Sequence, residues 1–129
     1  MDDKALFRIA DQAKKNAYAP YSGFMVGAAL LCADEKVFTG VNVENVSYGA
    51  TICAERTAFV KAISEGERQF EAIAVAAGRG KASPCGICRQ FMLEFNPDLK
   101  VVTGENEGNL TVQALRDLLP DGFRLQEKK

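Results

Sequence analysis

The sequence contains no histidine and no tryptophan. Without imidazole there is no Ser-His-Asp triad, no Cys-His dyad, no two-histidine metal helix and no histidine general base. Its chemistry must run on carboxylates, thiols, lysine, tyrosine or a metal held by sulfur or oxygen. An excess of either charge is also missing. Lys plus Arg number 16 against 17 Asp plus Glu, net −1, so no broad electrostatic footprint for nucleic acid or anionic lipid exists, and neither partner is expected. The longest apolar run, Phe24 to Ala33, falls far short of the roughly 18 residues a membrane span needs. Asp2 and Asp3 stand where a secretory leader would carry basic residues, so a soluble cytoplasmic protein is expected. Internal repeats and Pro/Gly/Ser linkers are absent too. With 129 residues, 47% of them hydrophobic, one globular domain over 1–129 is expected, ending in a solvated Glu127-Lys128-Lys129 tail.

What is present is a mixed α/β pattern. Leu6, Ile9, Ala10, Ala13 and Ala17 recur at helical spacing over Asp3 to Ala17, and Pro20 closes that helix. Phe24 to Ala33 and Lys36 to Val43 read as a hairpin around Asp34-Glu35. Thr51 is a plausible cap for a helix over Cys53 to Glu65, stopped by Gly66. Phe70 to Ala77 reads as a buried strand, Cys85 to Phe95 as a helix capped by Ser83, and Leu99 to Thr103 as a fourth strand. After a loop over Gly104 to Asn109, Thr111 to Leu119 reads as a last helix. That order implies a mixed sheet with helices on both faces.

Four cysteines stand at 32, 53, 85 and 88. In a reducing compartment, closely spaced thiols are more often metal ligands or catalytic groups than disulfides. Ser83-Pro84-Cys85-Gly86-Ile87-Cys88 puts two thiols on one face of a helix start, and Cys53 opens the other central helix. With Thr51 and Ser83 as caps, Cys53 and Cys85 both occupy the second helical position, where free backbone N–H groups and the helix dipole stabilise thiolate. Cys53, Cys85 and Cys88 would then hold a zinc ion through three ligands, leaving the open position of a catalytic rather than a structural site. Glu55, two residues after Cys53, is the carboxylate such a site needs for moving protons. Cys-Ala-Glu followed by Pro-Cys-x-x-Cys is the signature of zinc nucleobase deaminases, with Cys replacing His as first ligand. Three thiolates leave the centre net negative and weaken zinc as a Lewis acid, so a cation must offset them. Arg56 and Arg89, each directly after a ligand-bearing motif, are the candidates, the alternative for each being a surface arginine. Two plainer readings stay open: Cys85 and Cys88 as a redox pair, or a zinc-stabilised non-catalytic domain with Cys32 as fourth ligand. Cys32, mid-strand, reads better as a buried small side chain.

With these residues in view the chain resembles the small homotetrameric cytidine deaminases, from about Tyr18 to Phe123. The resemblance rests on Tyr21-Ser22-x-Phe24, Val26-Gly27-Ala28-Ala29-Leu30, Gly40-x-Asn42-Val43-Glu44-Asn45, Cys53-Ala54-Glu55-Arg56, Pro84-Cys85-Gly86-Ile87-Cys88-Arg89-Gln90 and Leu115-Arg116-Asp117-Leu118-Leu119-Pro120. It implies a three-layer α/β/α fold with a five-stranded mixed sheet, one strand more than the pattern yields. One Zn²⁺ per subunit on Cys53, Cys85 and Cys88 is implied, with Glu55 as proton shuttle. Asn42 and Glu44 would bind the ribose hydroxyls, Phe24 would line the nucleoside pocket, and the Ala54 N–H and a carbonyl near Pro84 would hold the base edge. Tyr48 and Phe123 would reach a neighbouring subunit's site within a homotetramer. Met25 stands where relatives often carry Pro, a change of small expected consequence. The implied reaction is deamination of cytidine and 2'-deoxycytidine to uridine and 2'-deoxyuridine. Deamination of a nucleoside antibiotic such as blasticidin S is the nearest alternative.

Overall fold

The structure, a computed structural model, describes residues 1–125, so the expected Glu127-Lys128-Lys129 tail lies outside the described residues. Helix α1 (Asp3–Ala13) starts where the Asp2 carboxylate accepts from the Ala5 N–H at 2.8 Å. It ends earlier than its apolar spacing suggests, passing into a 3₁₀ turn over Lys14–Asn16. The cause is tertiary. Tyr18 N–H donates to the Asn42 carbonyl, and the Tyr18 carbonyl accepts from Glu44 N–H, so the chain must extend before it reaches Tyr18.

Five strands follow: β1 (Val26–Cys32), β2 (Val37–Val41), β3 (Phe70–Ala77), β4 (Lys100–Gly104) and β5 (Leu110–Ala114). They form one sheet in the order β2-β1-β3-β4-β5, with β3 and β4 the parallel pair. Between them come α2 (Ala54–Ser64) and α3 (Gly86–Leu93), and α4 (Leu115–Leu118) closes the order as a single turn. The fifth strand corrects the helix expected over Thr111 to Leu119. Leu110–Ala114 instead pairs antiparallel with β4, whose edge would otherwise stand unpaired, and helix begins only at Leu115. The five-stranded mixed sheet implied by the resemblance is thus the one observed.

Alternation along the strands separates two apolar layers. Ala29, Leu31, Ala72, Ala74, Ala76 and Val102 face Leu6, Phe7 and Ala10 of α1. Ala28, Leu30, Ile73, Val75 and Val101 face Ala58, Phe59 and Ala62 of α2 and Cys88 and Met92 of α3, giving the three-layer arrangement. On this side Phe59 packs against Phe70, Phe91 and Phe95, with ring centroids 4.8 to 6.2 Å away.

At one place the layers meet without side chains between them. A Cβ on Gly27 would lie 2.1 Å from the Ala10 carbonyl oxygen and 2.6 Å from Lys14 N, while one on Gly40, on the opposite face, would lie 2.4 Å from both Ala54 O and Ala58 N. Gly27→Ala is therefore expected to push α1 off the sheet at a cost of about 1–3 kcal/mol, lowering Tm by roughly 5–10 °C. A thermal melt checks this. Zinc content of the same variant should hold, because α1 packs on the face away from the cysteines.

β1 is antiparallel to both of its neighbours, so β2 and β3 run in the same direction. The helices that follow them, α2 and α3, consequently begin at the same end of the sheet. That is the position where open α/β sheets gather ligands.

Candidate active site

The two helices are capped two residues later than capping preference suggests. Cys53 and Cys85 are themselves the N-cap residues, in extended conformation, where Thr51 and Ser83 are expected to cap. The reason for α2 is a tertiary bridge: Val43 and Ile52 exchange two backbone hydrogen bonds at 2.9 Å, which holds the chain extended through Ile52. Neither cysteine forms a side-chain cap bond, so each sulfur sits beside first-turn N–H groups without claiming one.

The three sulfurs converge. Cys53 Sγ and Cys85 Sγ are 3.6 Å apart, and with Cys88 all three lie within 4.8 Å of one another as free thiols. Cys88, one helical turn beyond Cys85, is fully buried, whereas Cys85 is exposed and Cys53 half-buried. The Cys88 thiol donating to Cys53, with Arg56 and Cys85 adding to the effect, pulls the Cys53 thiol down to about 5. The same partnership, reinforced by burial, pushes Cys88 up. Arg56 Nη2 lies 3.9 Å from Cys53 Sγ and donates to the Thr51 carbonyl at 3.3 Å. Its Nε is buried with no hydrogen-bond partner among the described residues. A half-buried guanidinium with its Nε short of an acceptor beside three clustered sulfurs is the environment of thiolates rather than thiols, and three thiolates suit a soft divalent cation such as zinc.

Arg89 does neither thing expected of it. Its Nε donates to the Pro84 carbonyl and its Nη1 to the Leu118 carbonyl, both at 2.7 Å, so it is neither a sulfur donor nor a free surface residue. It stiffens the peptide preceding Cys85. Cys32 is buried among the apolar residues beneath α2 and α3, with burial pushing its thiol up to about 11. Its nearest ligand-type groups are Asp34 and Glu67, not the three converging sulfurs.

Beside the sulfurs opens a cavity of about 200 Å³. Phe24, Val26, Ile52, Val75 and Ala82 form its apolar lining, and Asn42, Thr51, Cys53, Ala54, Glu55, Ser83 and Cys85 also border it. Glu55 is only 4% exposed, and burial pushes its carboxyl up to about 7. An apolar pocket with one buried carboxylate next to a three-sulfur cluster can hold a flat, uncharged ring and trade protons with it.

Not every expected residue reaches this cavity. Asn42 does, its Oδ1 accepting from Val26 N–H at 2.9 Å and its Nδ2 donating to the Phe24 carbonyl at 2.8 Å. Glu44 instead borders an adjacent hollow of about 300 Å³ with Tyr21, Ser22, Asn45 and Tyr48, joined to the first through Thr51. Its carboxylate accepts from the Tyr21 and Ser22 N–H groups and from Ser22 Oγ, which hold it below the usual carboxylate range. Tyr48 and Phe123 are 79% and 70% exposed and border no part of the sulfur-lined cavity. Sequence reasoning missed the wall residues Val26, Ile52, Val75 and Ala82, which look like ordinary core. It also missed Arg79, whose guanidinium sits 5.8 Å over the Phe24 ring.

Residues 1–105 match the family described as the cytidine and deoxycytidylate deaminase zinc-binding region. The chain is 49% identical to a cytidine deaminase of Halalkalibacterium halodurans, covering 98% of each. It superposes on the crystal structure of cytidine deaminase from Burkholderia pseudomallei with a TM-score of 0.90 at 50% identity, over 95% of this chain and all of that one. The cytidine deaminase of Mycobacterium tuberculosis gives 0.84 at 42% identity, over 97% and 99%. Converging cysteines, buried glutamate, fold and sequence agree, and the chain belongs to the cytidine and deoxycytidylate deaminases, a family of zinc-dependent hydrolases.

Proposed function

We propose that this chain deaminates cytidine and 2'-deoxycytidine to uridine and 2'-deoxyuridine, releasing ammonia, as a single-domain cytoplasmic enzyme of pyrimidine salvage. The observation that carries the reading is the Glu55 carboxyl buried in an apolar cavity beside the sulfurs of Cys53, Cys85 and Cys88. A zinc ion held by those three sulfurs, one per chain, would supply a polarised water to add at C4 of the base.

Every other element of the reaction falls to side chains and backbone. Glu55 moves a proton to ring N3 as water adds, then a second to the exocyclic amino nitrogen, which leaves as ammonia. The Ala54 N–H and the carbonyl of the peptide at Pro84 orient the base edge, and the Arg89 bond to the Pro84 carbonyl supports that role. Phe24 packs on the nucleoside. Asn42 uses one amide hydrogen and one lone pair within the chain, leaving the others for a ribose hydroxyl. Glu44 accepts three hydrogen bonds from Tyr21 and Ser22, and a fourth lone-pair direction remains for the sugar. The exposed rings of Tyr48 and Phe123 support a homotetramer with shared sites, in which each is covered by a neighbour. Among the described residues no helix is long and apolar enough to cross a membrane.

Purified protein with about one zinc per chain should bleach cytidine and 2'-deoxycytidine absorbance with stoichiometric ammonia, and leave blasticidin S largely unchanged. Zinc-loaded protein that releases no ammonia from either nucleoside would end this reading.

A further inference from the structure

The chain from the last residue of α4 onward is strapped to the helix that carries Cys85 and Cys88. Arg89 donates to the Leu118 carbonyl at 2.7 Å, and Arg124 Nη2 donates to the Glu94 carbonyl at 3.2 Å. Between these ties the Gln90 side chain makes a two-way bridge: its Nε2 donates to the Phe123 carbonyl at 2.8 Å, and its Oε1 accepts from the Phe123 N–H at 3.3 Å. Phe123 thus has both backbone polar groups fixed while the residue as a whole is 70% exposed. A tethered backbone cannot turn that ring into the core, so the ring is held out for something else to cover.

We propose that Gln90 is a positioning residue for nucleoside binding, its amide setting the direction in which Phe123 of one copy closes the pocket of a second copy. The proposal rests on the shared-site reading above and adds what aims the ring. The helix that supplies two sulfurs to its own site also adjusts substrate affinity at its neighbour's.

Gln90→Met keeps side-chain length and loses both bonds. In the zinc-loaded enzyme it should raise the KM for cytidine about tenfold, the factor that two hydrogen bonds of ordinary strength correspond to, with kcat and zinc content held. Phe123→Ala should raise KM at least as far, and the double variant should be no worse than Phe123→Ala alone, because Gln90 acts through that ring. Mixing Gln90→Met subunits with Glu55→Gln subunits, whose Phe123 is correctly aimed, should return KM toward the parent value. A raised KM in Phe123→Ala but not in Gln90→Met overturns this proposal and leaves shared sites standing. Additive effects in the double variant overturn it as well. An unchanged KM in both single variants removes the shared-site reading and the proposal together.

Discussion

Glu55→Gln is expected to lower kcat for cytidine by about two to four orders of magnitude, the range that positioned acid–base groups supply, while the zinc content stays that of the parent. The amide has the size of the carboxyl, so the cavity wall at the second residue of α2 keeps its shape. What is lost is the proton carrier. With no histidine in the chain and no second carboxylate bordering the cavity among the described residues, none of them is placed to take over. Removing a buried carboxyl that is costly to ionise should hold or raise Tm, so loss of turnover cannot be ascribed to unfolding. Steady-state assay alongside metal analysis and a melt separates these effects. Activity within a few-fold of the parent would show that protons travel by another route.

The second large effect concerns the metal. Without a cation, three sulfurs within 4.8 Å must share hydrogens, and two helix N-termini point their positive ends at the same spot. Zinc resolves both conflicts, and anything that binds the native state alone stabilises it in proportion to the logarithm of its concentration over Kd. Stripping zinc with a strong chelator should therefore lower Tm by on the order of 10 °C or more and abolish turnover, with both restored by added zinc. Cys88→Ser should reproduce the stripped state irreversibly, since the buried position leaves no space for a substitute ligand. Cys32→Ala should keep zinc and activity, because that thiol lies among Asp34 and Glu67 instead. Zinc lost from Cys32→Ala but retained in Cys88→Ser would reverse the ligand assignment.

How much of this was legible in the residues varies with the range of the interaction involved. The strand Phe70–Ala77 and the span of α2 follow from local apolar pattern, and the structure places them within a residue of expectation. The three cysteines could be grouped because two lie on one helical turn and the third shares a helix-start context. The fifth strand could not be read, since Leu110–Ala114 carries a pattern a helix also satisfies and only the open edge of β4 decides between them. The start of α2 slipped by a residue because Val43 and Ile52 pair across nine positions of sequence. Arg89 was misjudged for the same cause, its partner Leu118 lying 29 residues away. Ser22, the third donor to Glu44, is a polar residue in a turn and carries no signal by itself.

The two glycines on neighbouring strands of the hairpin carry one consequence for mechanics. Elsewhere the layers are separated by side chains, among them leucine, valine and phenylalanine, whose rotamers can yield when a neighbour shifts. At Gly27 and Gly40, helix backbone rests directly on strand backbone, on one face and then the other. A peptide group has no rotamer to change. The spacing between α1 and the first turn of α2 is therefore set by the backbone thickness of the sheet, bare on one face at Gly27 of β1 and on the other at Gly40 of β2, a rigid shim under the end of the helix that presents Cys53 and Glu55. Compliance is removed where the ligand geometry is least tolerant of it.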